Sequence, residues 1–336
     1  MNIQNKYIGV ILFSTLICAC KEEFLFQPAV GEVDEALLTN KRGLEDLLIG
    51  AYSLLDGIGN TKSGPYSAGS NWLFGSVFGN EAYLGSIQAD FDLSLLQYSY
   101  TASNFSFASK WATVYDGVQR ANEVLRIMNK TKNLSEQDRK RISAEARVLR
   151  AHYHFEAKKI WNKVPYVNES ITYANENYRM TNDKDIWADI ENDLKYGIEN
   201  LSIIPYQNAA GRVHKYTAMA LLAKAYLFQK KYAAAKPLLE SIISSGRYQL
   251  VKFHDNFNAE TKNNKESIFA AQNSVNDGAN GDNGNKGDMY NFPSSSLGPG
   301  TCCGYFQPSQ YLVNHFKTNA ITGLPDLDHF NQTDIK

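Results

Sequence analysis

Apolar side chains recur along much of this chain at the spacing of a buried helical stripe. From Ser109 onward, Trp111, Val114, Tyr115, Val118, Ala121, Val124 and Leu125 follow the i, i+3, i+4 rule. The pattern predicts one long helix. A second begins at Ser135, an N-cap residue with Glu136 and Asp138 in the turn that follows. Its stripe is Ile142, Ala146, Leu149, Tyr153 and Ala157, and it runs to about Trp161 before Pro165 ends the region. Residues 185–201 form a third amphipathic stretch through Ile186, Ile190, Leu194 and Ile198, with Asp189, Glu191, Asp193 and Lys195 on the polar side. Residues 37–55 predict an earlier helix, with Gly43, Leu47, Ala51 and Leu54 on related turns.

Ala223, Tyr226, Tyr232, Ala235 and Leu239 have the spacing of a tetratricopeptide helix pair, with Lys230 and Lys231 in the turn. Small alanines let two helices approach closely, and neighbouring pairs must complete the core. No strict period runs through the chain, so the expectation is an irregular helical array. Between the helices the texture changes. Residues 57–92 are rich in Gly, Ser, Asn and aromatics and read as a long ordered loop, a setting that often carries function. Residues 266–272 predict a short strand, 273–304 a flexible glycine-rich loop, and 310–316 a helical turn. The last part reads as a domain begun and not finished.

Composition narrows the class. Hydrophobic content of 43% and charged content of 21% are ordinary for a globular chain, and the length of 336 residues allows a sizeable core. A net charge of −1 gives nucleic acid no electrostatic reason to bind. At the N-terminus, Lys6 precedes an apolar run over residues 7–17, too short for a bilayer that needs roughly 20 residues. This is a secretion signal and stands outside fold reasoning. Its ending, Ile17-Cys18-Ala19-Cys20, resembles a bacterial lipoprotein signal, cleaved so that Cys20 carries the lipid. Cys18 suits this less, because bulky Ile17 precedes it. Lys21-Glu22-Glu23 looks like a surface-export signal of Bacteroidetes lipoproteins. Of the four cysteines only Cys302 and Cys303 then remain, adjacent and read as free or buried thiols.

These segments together resemble the SusD/RagB family of Bacteroidetes outer-membrane lipoproteins. The likeness starts at Cys20-Lys21-Glu22-Glu23-Phe24-Leu25 and Pro28, and continues through 43–55 (GLEDLLIGAYSLL). It includes the loop with Trp72, Gly75, Tyr83 and Gly85, then 111–125 (WATVYDGVQRANEVL) and 145–165 (EARVLRAHYHFEAKKIWNKVP). The helices over 185–201 and 211–248 and the stretch Glu266-Ser267-Ile268-Phe269 follow in order. Members usually continue well beyond the equivalent of Lys336, so the chain is expected to be truncated. The resemblance implies a mostly α, irregular tetratricopeptide-like array with long loops. It divides the chain into a lipoprotein signal peptide (1–19), a SusD-like helical domain (20–265) and the start of a loop-rich C-terminal region (266–336). It also implies a surface-exposed outer-membrane lipoprotein that binds a nutrient, usually a glycan and in the RagB branch a peptide. Such a protein passes the ligand to a SusC-like TonB-dependent barrel and performs no chemistry on it.

A sugar site needs flat aromatics for C–H faces and amides or charges for hydroxyls. Two loops offer that mixture: Trp72, Asn80 and Tyr83 in one; Tyr290, Asn291, Phe292, Tyr305 and Phe306 in the other. Trp111, Tyr115, Tyr153, Trp161 and Tyr226 lie on helical stripes and are read as core. Asp90 and Asp92, or Asp277, Asp282 and Asp288, are carboxylates that calcium would need, but neither group has EF-hand spacing. A solvated acidic loop is the better reading, and no cofactor is expected beyond the Cys20 lipid. No H-E-x-x-H, G-x-S-x-G or Walker A pattern occurs. A surface glycoside hydrolase and a purely structural scaffold stay open as alternatives.

Overall fold

The computed structural model describes residues 35–59, 64–85, 90–278, 284–285, 288, 304 and 306–335. A helical turn at Glu35–Leu38 falls in a separate unit, Met1–Leu38. The remaining elements belong to the unit Thr39–Lys336.

The first helix, α1 (Lys41–Tyr52), is capped by Asn40, whose Oδ1 accepts the Gly43 amide at 3.1 Å. It buries Gly43, Leu44, Leu48 and Ala51, so the predicted Gly43 and Ala51 face the core, with Leu44 and Leu48 beside them and Leu47 half-buried. Helix α2 (Asp90–Leu96) is short. Helix α3 (Phe105–Lys130) begins ahead of the apolar stripe because Asn104 caps it through the Ser106 amide at 2.8 Å. Helix α4 (Glu136–Trp161) has the expected Ser135 cap, accepting from the Asp138 amide at 3.1 Å. Helices α5 (Trp187–Asn200), α6 (Lys215–Phe228) and α7 (Tyr232–Ser244) follow. Each long helix packs on the next in sequence, from α3 to α7, and α1 lies against both α3 and α4. That is the irregular helical array read from the sequence. Among the described residues, no helix is long and apolar enough to cross a membrane.

Two glycines set how closely the helices approach. A Cβ at Gly117 in α3 would lie 2.6 Å from the Tyr153 ring of α4. One at Gly197 in α5 would lie 2.3 Å from Val148 Cγ2 and 3.1 Å from Ala218 Cβ, where α4, α5 and α6 meet. On an open helix, Gly→Ala gains about 1 kcal/mol of propensity. Here overpacking costs about 1–3 kcal/mol. Gly197→Ala is therefore expected to lower stability by a net of about 1 kcal/mol, read as a lower urea midpoint. A raised midpoint would show that Val148 and Ala218 give way freely.

The α6–α7 pair is tetratricopeptide-like in its small-residue contact: Ala223, Tyr226 and Ala235 are buried. Tyr232 and Leu239 are exposed instead, because among the described helices α6 alone packs extensively on α7. Residues 266–272 are irregular rather than a strand. The sheet lies elsewhere. Strand β1 (Ala82–Leu84) pairs antiparallel with β2 (Phe306–Pro308), in the register Ala82↔Pro308, Tyr83↔Gln307 and Leu84↔Phe306. Helix α8 (Gln310–Asn314) follows at once, capped by Ser309.

Two charge networks lie inside the array. In the first, Glu145 and Glu45 alternate with Arg141 and Arg212 in a closed ring. Glu145, fully buried, accepts from Arg141 at 2.8 Å, Arg212 at 3.1 Å and the Tyr52 hydroxyl at 2.7 Å. Arg141 also lies 3.6 Å over the Tyr206 ring. In the second, Arg150 donates to both oxygens of Asp193, at 2.7 and 2.8 Å, and to Asn122 at 2.9 Å. Beside it, the buried His154 ring bonds the Arg150 carbonyl through Nδ1 and the Val167 amide through Nε2, each at 3.0 Å.

Candidate glycan-binding surface

The segment between α1 and β1 is irregular in sequence but firmly held. Gly57 turns the chain at φ 85°, and a Cβ there would lie 2.1 Å from the Ser67 carbonyl oxygen. The Ser67 hydroxyl donates to the Gly57 carbonyl at 2.5 Å, and the Gly69 amide to Asp56 at 2.8 Å. Lys110 reaches in from α3 and donates to the carbonyls of Ser67 and Ala68 at 3.1 and 3.0 Å. Burial lowers its pKa to about 8, against the raising effect of Glu156. Asn71, at φ 55°, donates to Glu156 at 2.7 Å. Burial would raise the Glu156 carboxyl, but the surrounding His152, Lys159 and Lys110 outweigh it and hold the pKa at about 2. Five residues of π-helix, Leu73–Val77, then carry the chain towards β1.

Strand pairing brings the two sequence-predicted loops together. Tyr83 stands opposite Gln307, and its hydroxyl donates to Gln307 Oε1 at 2.7 Å. The phenol is 40% exposed, so one end is fixed while the ring meets solvent. Asn80 sits at φ 60°, a conformation asparagine tolerates, and its side chain is exposed. Its carbonyl accepts from the Ser309 hydroxyl at 2.6 Å, and the Glu81 carbonyl accepts from the Ser309 amide at 3.0 Å. Both contacts tie this turn to the end of β2. Phe306, partly exposed, leans on Trp72 edge to face with centroids 5.9 Å apart.

Trp72 itself is 4% exposed and belongs to an apolar cluster with Leu73, Val77, Ala82, Leu84 and Leu95. The expectation of an open stacking ring is not met there. Its polar flanks are real, but the apolar residues that follow it pull the indole inward. Tyr290, Asn291, Phe292, Tyr305 and Cys20 lie outside the described residues, as do Cys302 and Cys303. Of the second loop, Phe306 alone among the candidates is described, and β2 places it beside the first loop. Of the helical aromatics, Tyr153 and Tyr226 are buried, while Trp111, Tyr115 and Trp161 are half-buried and pack on one another.

Tyr98 and Tyr100 are exposed aromatics that the sequence reading did not single out. Both stack with Phe78, at 6.1 and 5.4 Å between centroids, and Tyr98 donates its hydroxyl to the Phe78 carbonyl at 2.6 Å. The signal was present in Tyr98-Ser99-Tyr100, two aromatics in an otherwise polar stretch. Among the described residues, no group of three or more His, Cys, Asp or Glu is placed to hold a metal ion. Asp277 accepts the Ser274 hydroxyl, and Asp288 that of Ser70. Asp282 and the side chains of Asp90 and Asp92 lie outside the described residues. On the face of the strand pair that Tyr83 shares with Gln307, the surface thus combines an anchored phenol with a primary amide. Such a set takes up the C–H faces and hydroxyls of a sugar.

Known proteins share this architecture. The SusD-like family model, described as "Starch-binding associating with outer membrane", matches residues 45–227. A SusD-like protein of Bacteroides ovatus is 26% identical over 286 residues, covering 80% of this chain and 50% of its own. SusD-like protein P25 of Formosa agariphila is 24% identical over 281 residues, covering 80% and 52% respectively. The chain therefore spans about half the length of the curated relatives it matches. Among solved structures, surface glycan-binding protein A from Bacteroides thetaiotaomicron, in complex with laminarihexaose, has a TM-score of 0.66 at 20% identity. That match covers 83% of this chain and 61% of the other. A SusD-like protein from Bacteroides fragilis has a TM-score of 0.68 at 21% identity, covering 89% and 57%. At these identities the structural likeness shows the fold.

Proposed function

The chain belongs to the SusD-like family of starch-binding proteins that associate with the outer membrane, and from that membership we propose that it captures a neutral oligosaccharide at the cell surface without altering it. It hands the sugar to a SusC-like TonB-dependent barrel. An acyl chain on Cys20 holds the protein at the outer membrane, where dual or triple acylation gives stable attachment. The observation that carries the ligand class is Tyr83. Its ring is open to solvent, its hydroxyl is fixed by Gln307, and the strand pair sets that phenol and amide side by side on one face. The surface glycan-binding protein named above, solved in complex with laminarihexaose, supports the same reading.

Stacking and neutral hydrogen bonds make a specific forecast. Calorimetry with maltohexaose and laminarihexaose should find one that binds, with an affinity that changes little on an about tenfold rise in salt. Tyr83→Ala should weaken that binding by about tenfold or more, as loss of a central aromatic contact does. A steep salt dependence, or a Tyr83→Ala variant that binds like the parent, would remove Tyr83 from the site. Binding of peptides but neither sugar would move the protein to the RagB-like reading.

A further inference from the structure

The loop between α4 and α5 carries rings that the core does not use. Tyr173 is 82% exposed and Tyr178 45% exposed. Their centroids are nevertheless 4.7 Å apart, with the planes tilted by 44°. The loop has no regular secondary structure, yet it is cross-bonded. Asn175 and Asn177 both donate their side-chain amides to the Ser170 carbonyl, at 2.9 and 3.0 Å. Asn177 Oδ1 accepts the Thr172 amide at 2.9 Å, and Thr172 Oγ1 accepts the Asn175 amide at 3.1 Å. The loop is rooted in the array where Arg150 pairs with Glu169 at 2.5 Å and Asn122 donates to the Val167 carbonyl at 2.9 Å.

Holding two phenols together in water, rather than burying them, forgoes the apolar burial that aromatics ordinarily supply. The side chains of Glu176 and Arg179 flank the rings in sequence and make no bond among the described residues. Prefixed ring faces take the C–H side of a pyranose, and a free carboxylate and guanidinium take its hydroxyls. The two charges cancel, which suits an uncharged chain of sugars rather than an anionic one.

We propose that Tyr173 and Tyr178 form a second sugar-binding platform, built for a neutral polysaccharide strand and distinct from the Tyr83–Gln307 surface. The inference rests on the reading of the chain as a glycan binder and adds avidity to it. A polymer that reaches both platforms gains effective concentration, whereas a short oligosaccharide engages one at a time.

The test uses the whole protein in native gels containing starch or laminarin, with calorimetry on maltohexaose and laminarihexaose. The variants are Tyr173→Ala with Tyr178→Ala, and Tyr83→Ala alone. Because both loop rings are exposed, the double variant should keep the parent's thermal midpoint. Its apparent affinity for the polymer should fall by about tenfold or more, while hexasaccharide affinity stays with the parent. Equal retardation of parent and double variant overturns the second platform and leaves the Tyr83 reading standing. Loss of hexasaccharide binding in the double variant also overturns it, by assigning the rings to the first site. Intact polymer binding with lost barrel association would make the rings a protein contact instead. Failure of the parent to bind either polymer overturns both readings together.

Discussion

Glu145→Gln is expected to lower the free energy of unfolding by about 3–5 kcal/mol, the cost of leaving a buried charge without its partner. Glu145 is fully buried and serves two guanidiniums and a phenol at once. Glutamine keeps the shape but withdraws the charge. Arg141 and Arg212 then share the carboxylate of Glu45, Arg141 keeping a 3.4 Å contact with Asp138 besides, and an amide NH₂ replaces one of the acceptors they face. The ring also joins distant parts of the chain: Glu45 comes from α1, Arg141 and Glu145 from α4, and Arg212 from the segment before α6. Its loss should therefore be felt cooperatively, as a lower urea midpoint with an unchanged slope. A loss below about 1 kcal/mol would mean that water reaches the ring and repairs it.

The second large effect is acid lability, centred on His154. The neutral ring uses both nitrogens: Nδ1–H donates to the Arg150 carbonyl, and Nε2 accepts from the Val167 amide. Protonation would set an N–H against an N–H inside the core. Burial first, and the Arg150 charge second, lower the pKa to about 3. An unfolded histidine titrates near 6.5. The unfolded state therefore takes up the proton first, and native stability falls as pH drops below about 6.5, continuing towards 3. At pH 4.5 the loss from this residue is on the order of 3 kcal/mol. Burial also lowers His214 to about 4, in the same direction. Glu156, held near 2, keeps its charge in the native state, so below about pH 4.5, where the unfolded carboxyl takes up its proton, it adds to the fall. Urea midpoints at neutral pH and at pH 4.5 should differ far less in His154→Gln than in the parent. An equal fall in both would place the acid sensitivity elsewhere.

Much of the array was legible because long helices bury one stripe, and that stripe repeats many times within α3, α4 and α5. Of the first predicted helix, Gly43, Ala51 and Leu54 are buried as expected, but Leu48 rather than Leu47 joins them, because its apolar residues, Leu44, Leu47, Leu48 and Ile49, surround much of the helix. The strand pair was not legible. Three residues are too few for an alternating pattern to stand out, and the partner lies 224 positions away. The reverse error at residues 266–272 has the same origin, since a short apolar run carries no pairing information. Tyr83 could be read as an aromatic in a polar loop. Trp72 looked alike, but its fate depended on Leu73, Val77 and Leu95 converging on it, which is a tertiary fact. Tyr98 and Tyr100 gained meaning only when the fold stacked both with Phe78.

The long separation between β1 and β2 also sets an order of events. Closing so long a loop from an unfolded chain costs entropy that three residue pairs cannot offset. The helices face no such delay, since each packs on its neighbour in sequence. The strands meet only after the array has brought their ends within reach, and under native conditions they part before the helices do. The surface that carries Tyr83 is accordingly the last region to be fastened and the first to be undone. A sugar that bridges the two strands would act as a latch, strengthening the weakest closure in the molecule rather than its core.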